Sequence, residues 1–140
     1  KGVYVKVIDD AGLGKFLNQV DVILLGCDII MHENFITKSG AHLLAAAAKT
    51  YNIPVFVLAD SRKIFNKKFF PQSVVGTFIG SEEKSGDEIW NNAPENIKEI
   101  FNHIEEVPNH LITKFILERD AFSPVELTEK IDKVLVANFF

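Results

Sequence analysis

What this chain has little of narrows its chemistry first. It carries a single cysteine, Cys27, in 140 residues. Neither a disulfide within the chain nor a multi-cysteine metal site can therefore form. Cys27 sits inside an apolar run, the place of a small buried hydrophobe or a pocket-lining thiol. A chain without disulfides suits a reducing compartment, and a cytoplasmic location is expected. Basic excess is also missing: 15 Lys and Arg face 19 Asp and Glu, for a net charge of −4. A protein that grips a phosphate backbone needs the opposite balance, so direct nucleic-acid binding is not expected. The one basic stretch, "SRKIFNKKFF", reads as a solvated loop flank with phenylalanines for packing. No apolar run approaches the roughly 20 residues that span a bilayer. No signal peptide is visible, and no membrane partner is expected.

Familiar site motifs are absent as well. "DDAGLGKF" has a Gly-Lys pair, but Asp9 stands where a phosphate loop needs its first glycine and Phe16 where it needs Ser or Thr. The dinucleotide fingerprint lacks its third glycine. Of the four histidines, His32 and His42 flank one turn, whereas Pro108 separates His103 from His110. No HExxH-like spacing occurs, so no metal is expected.

What is present is a strand–helix alternation in a chain of single-domain size. "VYVKVID" alternates like a strand, and "DAGLGKFLNQV" reads as a short helix with Leu13, Phe16 and Leu17 on one face. "DVILLGCDII" reads as one strand buried on both faces. "TKSGAHLLAAAAKTY" is helical, with Leu43, Leu44, Ala47 and Tyr51 at helix spacing and alanines small enough to lie close to a sheet. Pro54 ends that helix, and "VFVLAD" is the next strand. Residues 69–90 read as a loop with one short strand, "APENIKEIFNHI" as a short helix and "HLITKFILER" as a strand. In "SPVELTEKIDKVLV", Ser123 caps, Pro124 fits the first turn and Glu126 takes the capping-box place. This order predicts an α/β domain with right-handed crossovers. The chain begins at Lys rather than Met, and a fragment or a processed chain is expected.

Ligands of open parallel sheets bind at the carboxyl ends of the strands. Asp28 stands there after "VILLGC", Asp60 after "VFVLA", and Asp10 just past the first strand. Each also suits a helix cap or a turn. Lys38, Ser39 and Gly40 follow at the start of a helix, where free N–H groups and the helix dipole favour an anion. A phosphate on the Lys-Ser-Gly side and a polyol facing the Asp28 carboxylate would share one site, with Asp28 holding hydroxyls or moving a proton.

The run "DVILLGCDIIMHENFITKSGAHLLAAAAKTYNIPVFVLADSRKI", with "EEVPNHLITKFILERDAFSPVEL", resembles the initiation factor 2B alpha/beta/delta family. That family contains translation-factor subunits and isomerases of ribose bisphosphate and methylthioribose phosphate. The resemblance implies a Rossmann-like three-layer α/β domain with a mostly parallel sheet over residues 1–140, which in the family follows an N-terminal helical domain. No cofactor is expected. The resemblance implies a phosphorylated sugar or nucleotide as ligand, and a homo-oligomer or related subunits as partners. Asp28 matches the family's catalytic acid/base, whose partner is a Cys from an earlier segment; Cys27 matches an Ala instead. Thr37, Lys38, Ser39 and Gly40 match the substrate-contacting N-K-x-G segment. Thr37 replaces Asn, Ala41 replaces Thr, the turn at His32–Phe35 is one residue short, and the closing T-E-x-G becomes "LERD". "DSRKI" resembles the E-(S/T)-x-K-F of translation factors and ribose bisphosphate isomerases, which ranks the methylthioribose enzyme lowest. Three readings follow. One is a non-catalytic ligand-sensing or assembly subunit. The second is an aldose–ketose isomerase using Asp28. The third is an interaction domain whose pocket has decayed.

Overall fold

The computed structural model describes residues 2–66, 76, 83–84, 90–97 and 99–133. Its main sheet has the order β1 (Ile23–Gly26), β4 (Val55–Leu58), β8 (Lys114–Ile116), β9 (Ala121–Phe122). The first three run parallel; β9 folds back antiparallel on β8. Helices α1 (Leu13–Phe16), α2 (Ala41–Thr50) and α3 (Pro124–Lys133) complete the α/β architecture. This is the mostly parallel, Rossmann-like arrangement expected from the sequence.

A second sheet was not foreseen. It is antiparallel, with order β2 (Ile29–Ile30), β3 (Asn34–Lys38), β7 (Ile104–Pro108). A short ladder joins β5 (Glu83–Lys84) to β6 (Phe101–Asn102). The apolar run therefore breaks at Cys27–Asp28, and its two halves enter different sheets. Nor is β1 buried on both faces: Ile23 is buried, but Leu24 is 58% exposed, because β1 ends its sheet among the described residues and its outer face borders a cavity.

Residues 3–9 form no strand. Val3, Tyr4, Val5 and Val7 are exposed, so alternation alone did not secure a partner ladder. The described part of "APENIKEIFNHI" is a turn leading into β6, with Ile97 N–H bonded to Pro94 O at 2.8 Å, and no helix. "HLITKFILER" is a strand only over β8, after a 3-10 turn at Asn109–Leu111. Residues 69–90 lie mostly outside the described part, as does the end of the "SPVELTEKIDKVLV" helix.

Helix α2 packs through Ala41, Ala45 and Ala48, all buried, whereas Leu43 and Tyr51 face outward. The close approach expected of the alanines is realised, but on a different helix face from the one marked by the larger residues. Asn52, at φ 55°, turns the chain out of α2 toward β4. The core joins both sheets to α3: Phe35 of β3 meets Phe115 of β8 edge-on at 5.6 Å, and Leu127 and Ile131 of α3 are fully buried. Burial of each such side chain contributes about 1.5–3 kcal/mol.

Candidate functional site

A cavity of about 790 Å³ opens between α1, β1 and the start of α2. Asp28, Thr37, Lys38, Ser39 and Gly40 all line it, so the five positions marked in the sequence share one space. Asp10 lines it too; Asp60 does not. Asp60 instead caps the Ser61–Lys63 turn and pairs with Arg62 at 3.0 Å. The Arg62 hydrogen bond, more than any other cause, holds the Asp60 carboxyl below its ordinary range. Its role is the cap that the sequence also allowed.

The local geometry follows from the break after β1. Asp28 N–H donates to Ile36 O at 2.8 Å, which ties the strand end to β3. Met31 N–H donates to Asn34 O at 2.9 Å and closes the tight turn between β2 and β3. Returning along β3, the chain delivers Thr37 and Lys38 beside Asp28. Gly40, at φ +99°, then turns into α2 in a conformation that other L-residues rarely adopt.

The turn between β2 and β3 is held from outside. The buried Asn109 side chain donates to Met31 O at 2.9 Å and to His32 O at 3.2 Å. From α3, Thr128 donates to His32 O at 3.1 Å, and Asp132 lies 3.1 Å from His32 Nε2. His32 is thus a tether between the hairpin and α3. Neither His32 nor His42 lines the cavity.

The polar groups differ in how far they are already engaged. Thr37 is buried and its hydroxyl donates to Gly26 O at 2.9 Å. Ser39 N–H donates to His103 O at 2.9 Å, and its hydroxyl donates to Asn102 O. The Asp28 carboxylate and the Lys38 ammonium make no side-chain hydrogen bond or ion pair among the described residues. Both remain available to a ligand.

Lys63 was not marked in the sequence as a site residue. It lines the cavity from beyond β4 and donates to Cys27 O. Its signal was present, because it is the Lys of the "DSRKI" segment. Cys27 lines the cavity as well, and burial pushes its thiol up to about 11 against the pull of Lys63. At neutral pH it is a thiol, not a nucleophilic thiolate. Among the described residues no group of three His, Cys, Asp or Glu could hold a metal ion. No helix among them is long and apolar enough to cross a membrane.

Comparison with known proteins adds the family. The sequence pattern of the initiation factor 2 subunit family matches residues 1–124. The chain belongs to that family. It is 33% identical over 97 residues to a ribose 1,5-bisphosphate isomerase of Archaeoglobus fulgidus, covering 69% of this chain and 28% of that protein. It is 31% identical over 134 residues to a methylthioribose-1-phosphate isomerase of Caldanaerobacter subterraneus, covering 89% and 37%. Among solved structures, the 5-methylthioribose 1-phosphate isomerase of Pyrococcus horikoshii superposes with TM-score 0.72 at 25% identity, over 96% of this chain and 39% of that one. The eIF-2B delta subunit of A. fulgidus shares the fold with TM-score 0.71 at 24% identity, over 89% and 38%. The chain thus spans well under half the length of these relatives. The two isomerase types match at similar identity, and the methylthioribose enzyme over more of the chain. Ranking the methylthioribose enzyme lowest finds no support there.

Proposed function

We propose that this chain is the Rossmann-like domain of an initiation factor 2B-like protein that binds a phosphorylated sugar or nucleotide in the cavity beside β1. The observation that carries the reading is the convergence of a free carboxylate, Asp28, and two ammonium groups, Lys38 and Lys63, on one 790 Å³ space. The ammonium groups neutralise a phosphate, and the carboxylate accepts from hydroxyls. In this reading the role is sensing or assembly, as in translation-factor subunits, and the domain associates with copies of itself or related subunits. One feature favours binding over turnover. Thr37 stands where the family has Asn, and its hydroxyl is already spent on Gly26 O. A thermal-shift series with ribose 1,5-bisphosphate, ribose 5-phosphate and AMP tests the reading. At least one ligand should raise the melting temperature of the wild type and not of Lys38→Ala. Equal responses from both proteins would defeat it.

The second reading is aldose–ketose isomerisation of a ribose bisphosphate-like substrate. The retained Asp28 and the isomerase names of the relatives favour it. Asp28 would move a proton between adjacent carbons, with Lys38 on a phosphate and an upstream Cys as partner. Turnover of ribose 1,5-bisphosphate by the full-length protein should then fall about 10²–10⁴-fold in Asp28→Asn. Turnover that ignores this substitution would remove Asp28 from the chemistry.

A further inference from the structure

The sequence places an anion at the start of α2, on free N–H groups opened by Gly40. The structure shows another anion already there. Glu105, from β7, accepts from His42 N–H through Oε1 at 2.9 Å. His42 is the second residue of α2, and Gly40 offers the helix no side-chain cap of its own. The cap therefore comes from a neighbouring strand. Glu105 stands directly opposite Thr37 in the β3–β7 ladder, so both side chains leave the same face of that sheet. It is half-buried there.

The other donors of this turn are engaged too. Ser39 N–H goes to His103 O and the Ser39 hydroxyl to Asn102 O. Three donors that a phosphate cradle would use are thus consumed within the protein, one of them by a full negative charge. A second anion at the same helix end would meet that charge directly. The ammonium groups are placed otherwise. Lys38 has no partner among the described residues, and Lys63 spends one of its three N–H donors on Cys27 O.

We propose that Glu105 is a positioning residue for the bound anion. By filling the N-terminus of α2, it directs the ligand's phosphate onto Lys38 and Lys63, on the Asp28 side of the cavity. This inference rests on the phosphate-binding reading above and assigns where in that cavity the phosphate goes.

Calorimetric titration of the intact protein with inorganic phosphate and with ribose 5-phosphate tests it in three variants. Glu105→Gln keeps an acceptor oxygen for His42 N–H but loses the charge. It should bind both probes at least threefold more tightly than the wild type, whereas a merely structural role would leave affinity unchanged or lower. Lys63→Ala should weaken binding at least fivefold in the wild type and by less in the Glu105→Gln background, where the helix terminus becomes a second place for the phosphate. Unchanged or weaker binding by Glu105→Gln, with an undiminished Lys63→Ala effect, would overturn the inference and leave the cavity reading intact. A wild type that binds neither probe would defeat the cavity reading instead. Glu105 is then decided by Glu105→Ala, whose melting temperature should rise with added phosphate more than that of the wild type. An equal rise would overturn its role at the helix end.

Discussion

Cys27 and Asp28 are neighbours in sequence, line the same cavity and differ in what they can do there. Asp28 keeps an unengaged carboxylate. Cys27 is buried, and its thiol is pushed from an ordinary 9.0 to about 11, chiefly by that burial. A group whose folded value lies above its unfolded value stabilises the protein fully below the unfolded value. That contribution disappears as pH rises toward the folded one. The melting temperature should therefore decline between pH 9 and pH 11, and Cys27→Ala should remove part of the decline. Identical alkaline limbs would show that the thiol is not held neutral. Thr37 makes a second residue-level case. Its hydroxyl ties β3 to the end of β1 through Gly26 O. Thr37→Val should cost about 1 kcal/mol in urea unfolding, and no loss would mean that this bond is not formed in solution.

Among the elements, α3 was the most legible. Ser123 N–H and hydroxyl both donate to Glu126 Oε2, at 2.7 and 2.8 Å, and Glu126 N–H reaches Ser123 Oγ at 3.4 Å. This is the capping box that the spacing of Ser123 and Glu126 announced. Ser123→Ala should cost about 0.5–2 kcal/mol, measurable as a lower denaturant midpoint. Less legible was the clamp between the loops after β4 and β8. Glu118 accepts from Ser61 N–H at 2.8 Å and from its hydroxyl at 2.9 Å. These bonds, led by the one from the backbone, lower the Glu118 carboxyl below its ordinary 4.5. Its contribution is full above 4.5 and vanishes as pH falls through the lower folded value. Glu118→Gln should melt below the wild type at pH 7 and match it once the pH has fallen below the lowered folded value. A gap that persists in acid would mean that charge is not the cause. Nothing in the sequence linked Ser61 to Glu118, because the two meet only once β4 and β8 are side by side.

For the molecule as a whole, local signals served where local chemistry decides. The α3 cap, the exit from α2 before Pro54 and the β4 strand all followed from residues within a few positions of one another. Failures came where a partner elsewhere decides. Residues 3–9 alternate like a strand yet are exposed. "DVILLGCDII" looks continuous, yet Ile29 and Ile30 pair with β3 rather than continue β1. The site divides along the same line. Asp28, Thr37, Lys38, Ser39 and Gly40 are close in sequence and share one cavity. Lys63 and Glu105 arrive from other strands, one adding a cation to the cavity and the other a carboxylate at the helix end. Whether that cavity holds a phosphorylated ligand decides the account. Calorimetric titration with ribose 5-phosphate of wild type and of Lys38→Ala measures it most directly. Saturable binding by the wild type, weakened at least tenfold in Lys38→Ala, is the predicted result. No binding, or equal affinity in the two proteins, would contradict it.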